Sequence, residues 1–350
     1  MKSQHVFSVI VGVCALNLTG CGQQSDSANE QAESAKTQTA KELVVYSARN
    51  EQLIQPLIAE YQAQRGIKVK LVTAKAGPLL ERIKAEGANS PADILLTVDA
   101  GNLWQAAQSG LLSPLDSAAL LAAIPAHLRD PEQQWFGLSV RARTIVHHPD
   151  RAPADSLSTY EALAESAFKG RLCLRTSKKV YNQSLVAMLI AEHGEARTEE
   201  IVKGWVANLA APPFSNDTAV MNAIAAGQCD VGIVNTYYFG RLQKADPNYA
   251  LRLFWPNQNG SGVHVNVSGG AVVQASDAPV QAQTFLEWLA AGEAQSLFAA
   301  GNMEYPANAS VASAKAVQAW GSFKPNIINV AEAGRLQAAA VKLMDRAGYQ

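Results

Sequence analysis

The fold is decided by residues 43–72, which read LVVYSARNEQLIQPLIAEYQAQRGIKVKLV. Residues 43–46 are rich in β-forming side chains, and apolar side chains then recur at helical spacing over residues 51–64. Gly66 ends the predicted helix, and residues 67–72 alternate between apolar and polar side chains as a strand does. The segment therefore predicts a strand, a helix and a second strand.

The same alternation continues to about residue 110. Pro78 can begin a second helix, which ends near Gly87. Residues 92–98 then form the nearly unbroken apolar run expected of a strand covered on both faces. A third helix is predicted over residues 102–109 and ends at Gly110. Strands that alternate with helices in this way indicate a parallel, doubly wound sheet.

The pattern resumes in the middle of the chain, where residues 171–174 and 229–234 predict two more strands. The helices predicted around them cover residues 183–193, 198–209 and 218–226, and a further helix begins near Tyr237. Two β-rich passages, residues 135–147 and 264–274, flank this block. We interpret these passages as crossings between two lobes.

We therefore expect an α/β protein of two lobes, each built on a doubly wound sheet, with a ligand cleft between them. The predicted first lobe covers residues 42–138, and the second lobe covers residues 139–268. Residues 269–350 are expected to return to the first lobe and to add the C-terminal helices.

The first twenty residues resemble a bacterial lipoprotein signal peptide. Lys2 supplies a positive start, and the apolar run of residues 6–18 is too short to span a bilayer as a helix. The run ends in Leu18-Thr19-Gly20-Cys21, which resembles the lipobox and implies cleavage before Cys21 and lipidation of that cysteine. An ordinary signal peptide is the alternative. Residues 21–41 are polar and lack aromatic side chains, which predicts a flexible tether.

Composition narrows the classes of function. The formal net charge is −1 and no basic stripe is visible, which argues against a nucleic-acid partner. Of the four cysteines, Cys14 lies in the predicted signal and Cys21 is the predicted lipid acceptor. Cys173 and Cys229 remain, and an even remainder in an exported protein suggests a disulfide. Two buried free thiols are the alternative.

Three polar stretches follow predicted strands, which is where ligands bind in open α/β sheets. They are residues 46–50, 175–181 and 235–238. Tyr237 and Tyr238 would lie about 100° apart at the first turn of a helix, so both phenol oxygens could approach one point. Asn235 and Thr236 are plausible cap residues before them. Ordinary aromatic packing is the alternative.

The other two stretches add a third tyrosine and a set of cations. Tyr181 has polar neighbours at the point where a loop enters a helix, whereas a core tyrosine more often has apolar neighbours. Arg49 follows the first strand, and Arg141 and Arg143 lie two residues apart on the first crossing strand, so they are expected to share a face. Surface positions are the alternative for each arginine.

With these motifs in place, the chain resembles the ferric-ion-binding periplasmic proteins of bacterial iron importers. The matching passages keep their order along nearly the whole mature length and read VYSAR (45–49), SPADILLTVD (90–99), WFGLSVRAR (135–143), VYNQSL (180–185), NTYY (235–238) and EYP (304–306). The resemblance implies a type II periplasmic-binding-protein fold. It also implies that ferric iron is the ligand and that Tyr181, Tyr237 and Tyr238 bind the metal.

The chain departs from the family pattern in its first lobe. Many members place a His or Tyr on the metal just after the Tyr-Ser-x-Arg passage, where this chain reads Asn50-Glu51-Gln52. Another subgroup has a Glu immediately before Asp99, where this chain has Val98. The chain is therefore similar to the subgroup that completes the iron shell with carbonate or another small anion. The candidates to hold that anion are Arg49, Arg143, Arg141 and Asn50, with Arg141 ranked last.

The resemblance also implies a setting for the protein. Ferric iron would be delivered to an ABC permease in the inner membrane, and the lipid on Cys21 would be the only membrane contact. We expect the periplasmic protein to act as a monomer. The chemistry of tyrosine agrees with a ferric ligand. Fe3+ favours hard oxygen donors, and it can displace the proton of a phenol, whose pKa is about 10. Three phenolates would balance its charge.

Other chemistries are less well supported by the sequence. His127, His193 and His264 are scattered, and no zinc-type spacing is present. No nucleophile elbow or phosphate loop is visible, so we expect no enzyme activity. The main alternative is another solute on the same scaffold, either a polyamine, thiamine or an oxyanion such as phosphonate or sulfate. An organic cation would need an aromatic box with carboxylates, and an oxyanion would need arginines and helix N-termini without tyrosine donors.

Overall fold

The structure is a computed structural model that describes residues 42–350. The predicted signal peptide over residues 1–20, the tether up to residue 41 and the lipidation site at Cys21 lie outside the described residues. Within residues 42–350, no helix combines the length and the apolar character that a membrane span requires.

The described residues alternate between strands and helices, with short 3-10 turns in the loops. The strands are β1 (Leu43–Ser47), β2 (Val69–Thr73), β3 (Ile94–Thr97), β4 (Leu112–Ser113), β5 (Phe136–His147), β6 (Leu172–Cys173), β7 (Val231–Asn235), β8 (Arg252–Phe254), β9 (Val265–Val273) and β10 (Tyr305–Pro306). The helices are α1 (Glu51–Arg65), α2 (Ala76–Glu86), α3 (Ala100–Gln108), α4 (Ala118–Ala123), α5 (Val180–Ala207), α6 (Asp217–Ala225), α7 (Thr236–Ala245), α8 (Pro279–Ala290), α9 (Gly292–Gly301), α10 (Lys315–Gln318), α11 (Glu332–Arg335) and α12 (Gln337–Arg346).

The opening segment folds as its pattern predicts, with β1, α1 and β2 in succession. Helix α1 buries the apolar stripe that includes Ile54, Leu57 and Tyr61. The helix ends at Gly66, whose φ of 67° is a left-handed conformation that favours glycine. Its backbone N–H donates to the carbonyl oxygen of Gln62 at 2.9 Å, which satisfies one of the last carbonyls of the helix.

The two helices predicted over residues 183–193 and 198–209 are the two halves of α5. They are separated at Gly194, where φ is 77° and ψ is 166°. Such a conformation interrupts a helix and is accessible to glycine without a steric penalty. The prediction of two helices is therefore confirmed, and the continuous span of α5 includes a kink.

Two groups of parallel strands are joined by antiparallel strands. Strand β1 pairs in parallel with β2 and β3, and β6 pairs in parallel with β7. Strand β9 lies antiparallel to β3 and β5, and β5 also lies antiparallel to β7. The order β2-β1-β3-β9-β5-β7-β6 with helices packed around it confirms the predicted α/β fold of two lobes.

Strand β5 is the crossing element of the fold. All twelve of its residues are buried. Residues 136–142 pair with β9, and residues 143–147 pair with β7. A strand that changes partner along its length belongs to both halves of the sheet, and both halves therefore meet at its centre.

Separate apolar cores fill the two halves of the fold. The first core contains side chains of β1, β3, α1 and α8. The second core contains side chains of α5 and of α12, including Ala340, Leu343 and Met344. Helix α12 thus packs against the second core, while the residues of α8 and α9 pack in the first. The lobe boundaries given above stay a prediction.

A disulfide joins Cys173 at the end of β6 to Cys229 before β7, as the cysteine count suggested. The two cysteines are 56 residues apart in sequence. In the chain-entropy account, closing a loop of this length stabilises the fold by roughly 4 kcal/mol. The bond ties together the strands that lead to two of the three polar stretches.

Candidate metal centre

A cavity of about 160 Å³ lies where the three polar stretches meet. We call it the tyrosine cavity, and its lining residues are Ala48, Arg49, Asn50, Leu53, Val98, Arg141, Tyr181, Tyr237, Tyr238, Arg241, Ser268, Asn302 and Glu304. The lining comes from the β1–α1 and β3–α3 loops, the starts of α5 and α7, strands β5 and β9, and the loop after α9. Helix starts and strand ends therefore surround one small space, as expected for this class of sheet.

The three predicted tyrosines occupy the first turns of two helices. Tyr181 is the second residue of α5, and Tyr237 and Tyr238 are the second and third residues of α7. Asn235 precedes α7 with extended backbone angles, but its side chain makes no capping hydrogen bond. Its amide oxygen instead accepts from Nη1 of Arg143 at 3.1 Å. Asn235 is therefore at the predicted N-cap position, but its side chain bonds to Arg143 and does not cap the helix.

The structure brings the three tyrosines together. The rings of Tyr237 and Tyr238 have centroids 4.4 Å apart and planes inclined by 34°. The hydroxyls of Tyr181 and Tyr237 are hydrogen-bonded to each other, and Asn235 Nδ2 donates to the hydroxyl oxygen of Tyr237 at 3.3 Å. All three rings line the tyrosine cavity. The three side chains therefore reach one cavity from two separate helices.

Guanidinium groups flank each of these rings. Arg175 lies 5.4 Å from the ring of Tyr181 and 5.9 Å from that of Tyr238. Arg241 lies 5.2 Å from the ring of Tyr237 and 5.5 Å from that of Tyr238. These cations favour phenolate over phenol, because a nearby positive charge stabilises the ionised form.

Burial acts in the opposite direction on two of the phenols. It raises the pKa of Tyr181, and the charge of Arg141 offsets part of that increase. Burial and the neighbouring tyrosines raise the pKa of Tyr237 well above its usual value. Both phenols are therefore neutral near pH 7 unless a cation replaces their protons.

Arg49 lines the cavity and has two buried donors without a hydrogen-bond partner among the described residues. Its Nη1 donates to Glu304 Oε2 at 3.2 Å and to Ser139 Oγ at 3.5 Å, and its guanidinium packs 4.2 Å from the ring of Phe298. Its Nε and Nη2 are buried and have no hydrogen-bond partner within residues 42–350. An anion in the cavity could satisfy these two donors, because the guanidinium fork matches carboxylate-like groups.

Arg141 and Arg143 separate although they lie two residues apart on β5. Arg141 lines the cavity, where its Nη1 donates to Ser268 Oγ at 3.0 Å and its Nη2 donates to the carbonyl oxygen of Val98. Arg143 does not line the cavity. The structure thus places the arginine that was ranked last at the cavity, and the other arginine outside its lining.

Every donor nitrogen of the Arg143 side chain is instead hydrogen-bonded to a buried partner. Its Nε and Nη2 donate to Asn182 Oδ1 at 3.0 and 2.5 Å, and its Nη1 donates to Asp217 Oδ2 at 3.2 Å. Its Nη1 and Nη2 also reach Asn235 Oδ1 and the carbonyl oxygen of Ile233, both at 3.1 Å. No donor is left for an anion. Arg143 therefore connects the start of α5 to the end of β7.

The sequence reasoning missed several lining residues. Arg241 follows Tyr237 by four residues on α7, so the helical spacing was a signal that could have found it. Its Nη2 donates to Asn302 Oδ1, and Asn302 Nδ2 donates to Glu304 Oε1 at 2.8 Å. Asn302 and Ser268 carry no local signal. Glu304 belongs to a passage that was matched to the family without being assigned a role.

One group of metal-ligating side chain types lies outside the tyrosine cavity. The ligand atoms of Glu161, Glu192 and His193 lie within 4.8 Å of one another, and within residues 42–350 no other such group of histidine, cysteine and acidic side chains is present. His193 Nε2 is 2.8 Å from Glu161, whose carboxylate also accepts from Asn257 at 3.0 Å. Ser261 donates to Glu192 at 3.2 Å. These contacts describe a hydrogen-bonded surface cluster.

Known proteins resemble this chain over most of its length. The family model for the bacterial extracellular solute-binding protein matches residues 56–325. Iron uptake protein A1 of Synechocystis sp. is 41% identical over 350 residues, which cover 98% of this chain and 96% of that relative. The major ferric iron-binding protein of Neisseria meningitidis serogroup B is 27% identical over 286 residues, which cover 80% of this chain and 85% of that relative.

Solved structures agree with this likeness. The Trichodesmium protein (IdiA, FutA) in complex with iron and citrate is 46% identical with a TM-score of 0.86, covering 89% of this chain and 100% of that chain. Ferric iron-binding protein A of Mannheimia haemolytica, in an open conformation, is 36% identical with a TM-score of 0.84, covering 89% of this chain and 99% of that chain. These relatives are solute-binding proteins and not enzymes, which confirms the prediction that this chain is not an enzyme.

Proposed function

The chain belongs to the family of bacterial extracellular solute-binding proteins, and we propose that it captures ferric iron through three tyrosine phenolates. The proposed ligands are Tyr181, Tyr237 and Tyr238. The observation that carries the proposal is the convergence of these three phenols on one cavity from the starts of α5 and α7. The names of the similar proteins, which are iron uptake and ferric iron-binding proteins, support the same metal.

The ligand chemistry explains why ferric iron would be selected. Phenolate is a hard oxygen donor, which suits a small trivalent cation better than thiolate or thioether would. Because burial raises the pKa of Tyr181 and Tyr237, only a strong Lewis acid can displace their protons near neutral pH. Fe2+ and Ca2+ compete far less well for phenolate. Three phenolates would neutralise the charge of Fe3+.

A small anion such as carbonate is proposed to complete the iron shell. Support comes from Arg49, whose Nε and Nη2 are buried without a partner among the described residues and face no competing protein acceptor. Asn50 lies at the exposed edge of the same cavity and is the second candidate. Arg141 also lines the cavity, whereas the occupied donors of Arg143 make it a poor candidate.

The first lobe would contribute the anion site and would supply no tyrosine or histidine to the metal. Its polar residues that line the cavity are Arg49, Asn50, Asn302 and Glu304. Glu304 is itself paired with Arg49 at 3.2 Å and hydrogen-bonded by Asn302. The carboxylate is therefore engaged in holding the arginine and is not counted among the proposed iron ligands.

The cellular role follows from the family. Proteins of this family bind solutes outside the cytoplasmic membrane, and we propose that this chain delivers iron to an ABC permease. We propose further that lipid on Cys21 holds it near the membrane as a monomer in the periplasm. The sequence Leu18-Thr19-Gly20-Cys21 supports the anchor.

A different solute on the same scaffold fits the cavity less well. Arg49, Arg141 and Arg241 line it, and Arg175 packs against two of its tyrosine rings. This density of positive charge disfavours a polyamine or thiamine, because each would bring a further cation. A free oxyanion such as sulfate or phosphonate would satisfy Arg49 but would leave the three converging phenols without a role.

The test is substitution of each phenol. Protein loaded with ferric nitrilotriacetate should be coloured by phenolate-to-iron charge transfer, and Tyr181→Phe, Tyr237→Phe and Tyr238→Phe should each weaken or bleach the colour and lower iron affinity. Tyr61→Phe is the matched control, because Tyr61 is fully buried against Phe285 and lies outside the cavity. Unchanged colour and affinity in all three cavity variants would exclude the proposed site.

A further inference from the structure

Tyr349 packs against the loop that carries one of the proposed iron ligands. Its side chain is buried, with 3% of its surface exposed. Its hydroxyl donates to the carbonyl oxygen of Arg175 and accepts from Nδ2 of Asn182 at 2.8 Å. The next residue also contributes, because the carbonyl oxygen of Gln350 accepts from the backbone N–H of Ser177 at 3.0 Å.

These contacts lie on both sides of Tyr181 along the chain. Arg175 lies at one end of the loop between β6 and α5, and Asn182 directly follows Tyr181 in the first turn of α5. Asn182 Nδ2 is also 2.8 Å from the carbonyl oxygen of Arg175 and 3.0 Å from that of Thr176. One hydroxyl therefore bonds to both ends of a short loop whose geometry determines where the phenol of Tyr181 points.

The first turn of α5 is held by contacts with other segments. Lys179 occupies the N-cap position and provides no side-chain cap. Other bonds also hold this loop to neighbouring segments. The backbone N–H of Thr176 donates to the carbonyl oxygen of Phe214 at 2.8 Å. Arg143 Nε donates to Asn182 Oδ1 at 3.0 Å, and Arg175 Nη1 donates to Asp217 Oδ1 at 3.4 Å. A helix start without a capping side chain gains from tertiary contacts that fix its first residues.

The same loop carries a cation that packs against two of the cavity tyrosines. The guanidinium of Arg175 lies 5.4 Å from the ring centroid of Tyr181 and 5.9 Å from that of Tyr238. Because Tyr349 binds the backbone of Arg175, it also fixes the position from which this guanidinium extends. Helix α12 holds Tyr349 in place, since Leu343 and Met344 are buried in the second core.

We infer that Tyr349 is a positioning residue of the iron site, which acts by holding the loop of residues 175–182 so that Tyr181 points into the tyrosine cavity. The inference rests on the proposed function, because it assigns a role relative to a proposed ligand. Tyr349 does not line the cavity, so its hydroxyl acts through Tyr181 and not on the metal.

The test is a double-mutant cycle measured with ferric nitrilotriacetate as iron donor and citrate as competing chelator. Tyr349→Phe retains the ring and removes the hydroxyl, and should weaken iron affinity about threefold to tenfold, the effect of one buried hydrogen bond. In the Tyr181→Phe background the same change should alter affinity by less than about twofold, because a residue that acts through Tyr181 is coupled to it. The charge-transfer band of Tyr349→Phe should also shift.

Tyr61→Phe is the control for removing a buried hydroxyl, and should leave affinity and band unchanged. Thermal unfolding of every variant separates a loss of stability from a loss of positioning. The inference is overturned if Tyr349→Phe binds iron as the unmodified protein does, or if its effect is the same in both backgrounds. If Tyr181→Phe itself leaves binding unchanged, the proposed function fails, which is a distinct result.

Discussion

At the scale of single residues, opposing effects act on the pKa values of Tyr181 and Tyr237. Burial and the neighbouring phenols favour the neutral form of Tyr237, while the charge of Arg141 favours its ionised form. The outcome without metal is a raised pKa for Tyr237 and for Tyr181. A site of this kind keeps its protons until a cation arrives that binds phenolate strongly enough to replace them.

We predict that iron affinity falls as the solution is acidified. The raised pKa values of Tyr181 and Tyr237 mean that these two phenols carry protons throughout the neutral range, so each must release one when iron binds. Affinity should therefore drop by about tenfold per pH unit for every phenol that ionises on binding. Competition with citrate between about pH 8 and pH 6, corrected for protonation of the chelator, measures this slope. An affinity independent of pH would contradict phenolate ligation.

At the scale of elements, ion pairs hold the ends of β5 and β7 in the second lobe. Asp230 immediately precedes β7, and its two carboxylate oxygens accept from Arg151 Nε at 2.8 Å and Arg171 Nε at 2.7 Å. Burial raises the pKa of Asp230, but the hydrogen bonds and charges of the two arginines together bring it below its usual value. The carboxylate thus joins the residues just after β5 and just before β6 to the start of β7.

We predict that Asp230→Asn lowers stability near neutral pH by about 1–2 kcal/mol, because two charge-assisted hydrogen bonds are lost at a partly exposed site. The folded-state pKa lies below the unfolded value of about 4, so this contribution is present above pH 4 and is lost as pH falls through the lowered pKa.

Urea unfolding at neutral pH and at about pH 3 checks the sign of this effect. The difference between Asp230→Asn and the unmodified protein should shrink on acidification. Asp155→Asn is the matched control, because Asp155 is exposed and should change stability little at either pH. A difference that persists unchanged in acid would show that the ionised carboxylate is not the source.

At the scale of the whole molecule, the cavity lies between groups from both halves of the sheet. Arg241 on α7 donates to Asn302, which follows α9. Ser184 on α5 donates to both carboxylate oxygens of Asp99 at 3.1 Å, just before α3. Any ligand held by Tyr181, Tyr237 and the residues of the first lobe would therefore add a connection between the two halves.

We predict that iron loading raises the thermal stability of the whole molecule. A ligand that binds only the folded state contributes about 4 kcal/mol when its free concentration is a thousandfold above Kd. The melting temperature measured by calorimetry with ferric citrate should rise accordingly. Tyr237→Phe should lose most of this shift, whereas Tyr61→Phe should retain it. An equal shift in both variants would indicate that iron stabilises the protein elsewhere.

The features that could be predicted from the residues alone are local ones. The alternation of strands and helices, the end of α1 at Gly66 and the interruption of α5 near Gly194 depend on periodicity and glycine conformation, which neighbouring residues set. The positions of Tyr181 and Tyr237 at helix starts follow from the same local order. Their convergence was suggested by family resemblance, because no local pattern reports the distance between two helices.

Long-range strand pairing determines that Arg141 lines the cavity and Arg143 does not. Arg141 and Arg143 were expected to share a face of one strand, yet they meet different partners. The reason is that β5 pairs with β9 as far as Ala142 and with β7 from Arg143 onward, so the two arginines lie in different halves of the sheet. Such a change of partner depends on pairing between strands that are distant in sequence. The contacts that bring Asn302 to the cavity are also long-range. Neither can be predicted from the residues that are neighbours along the chain.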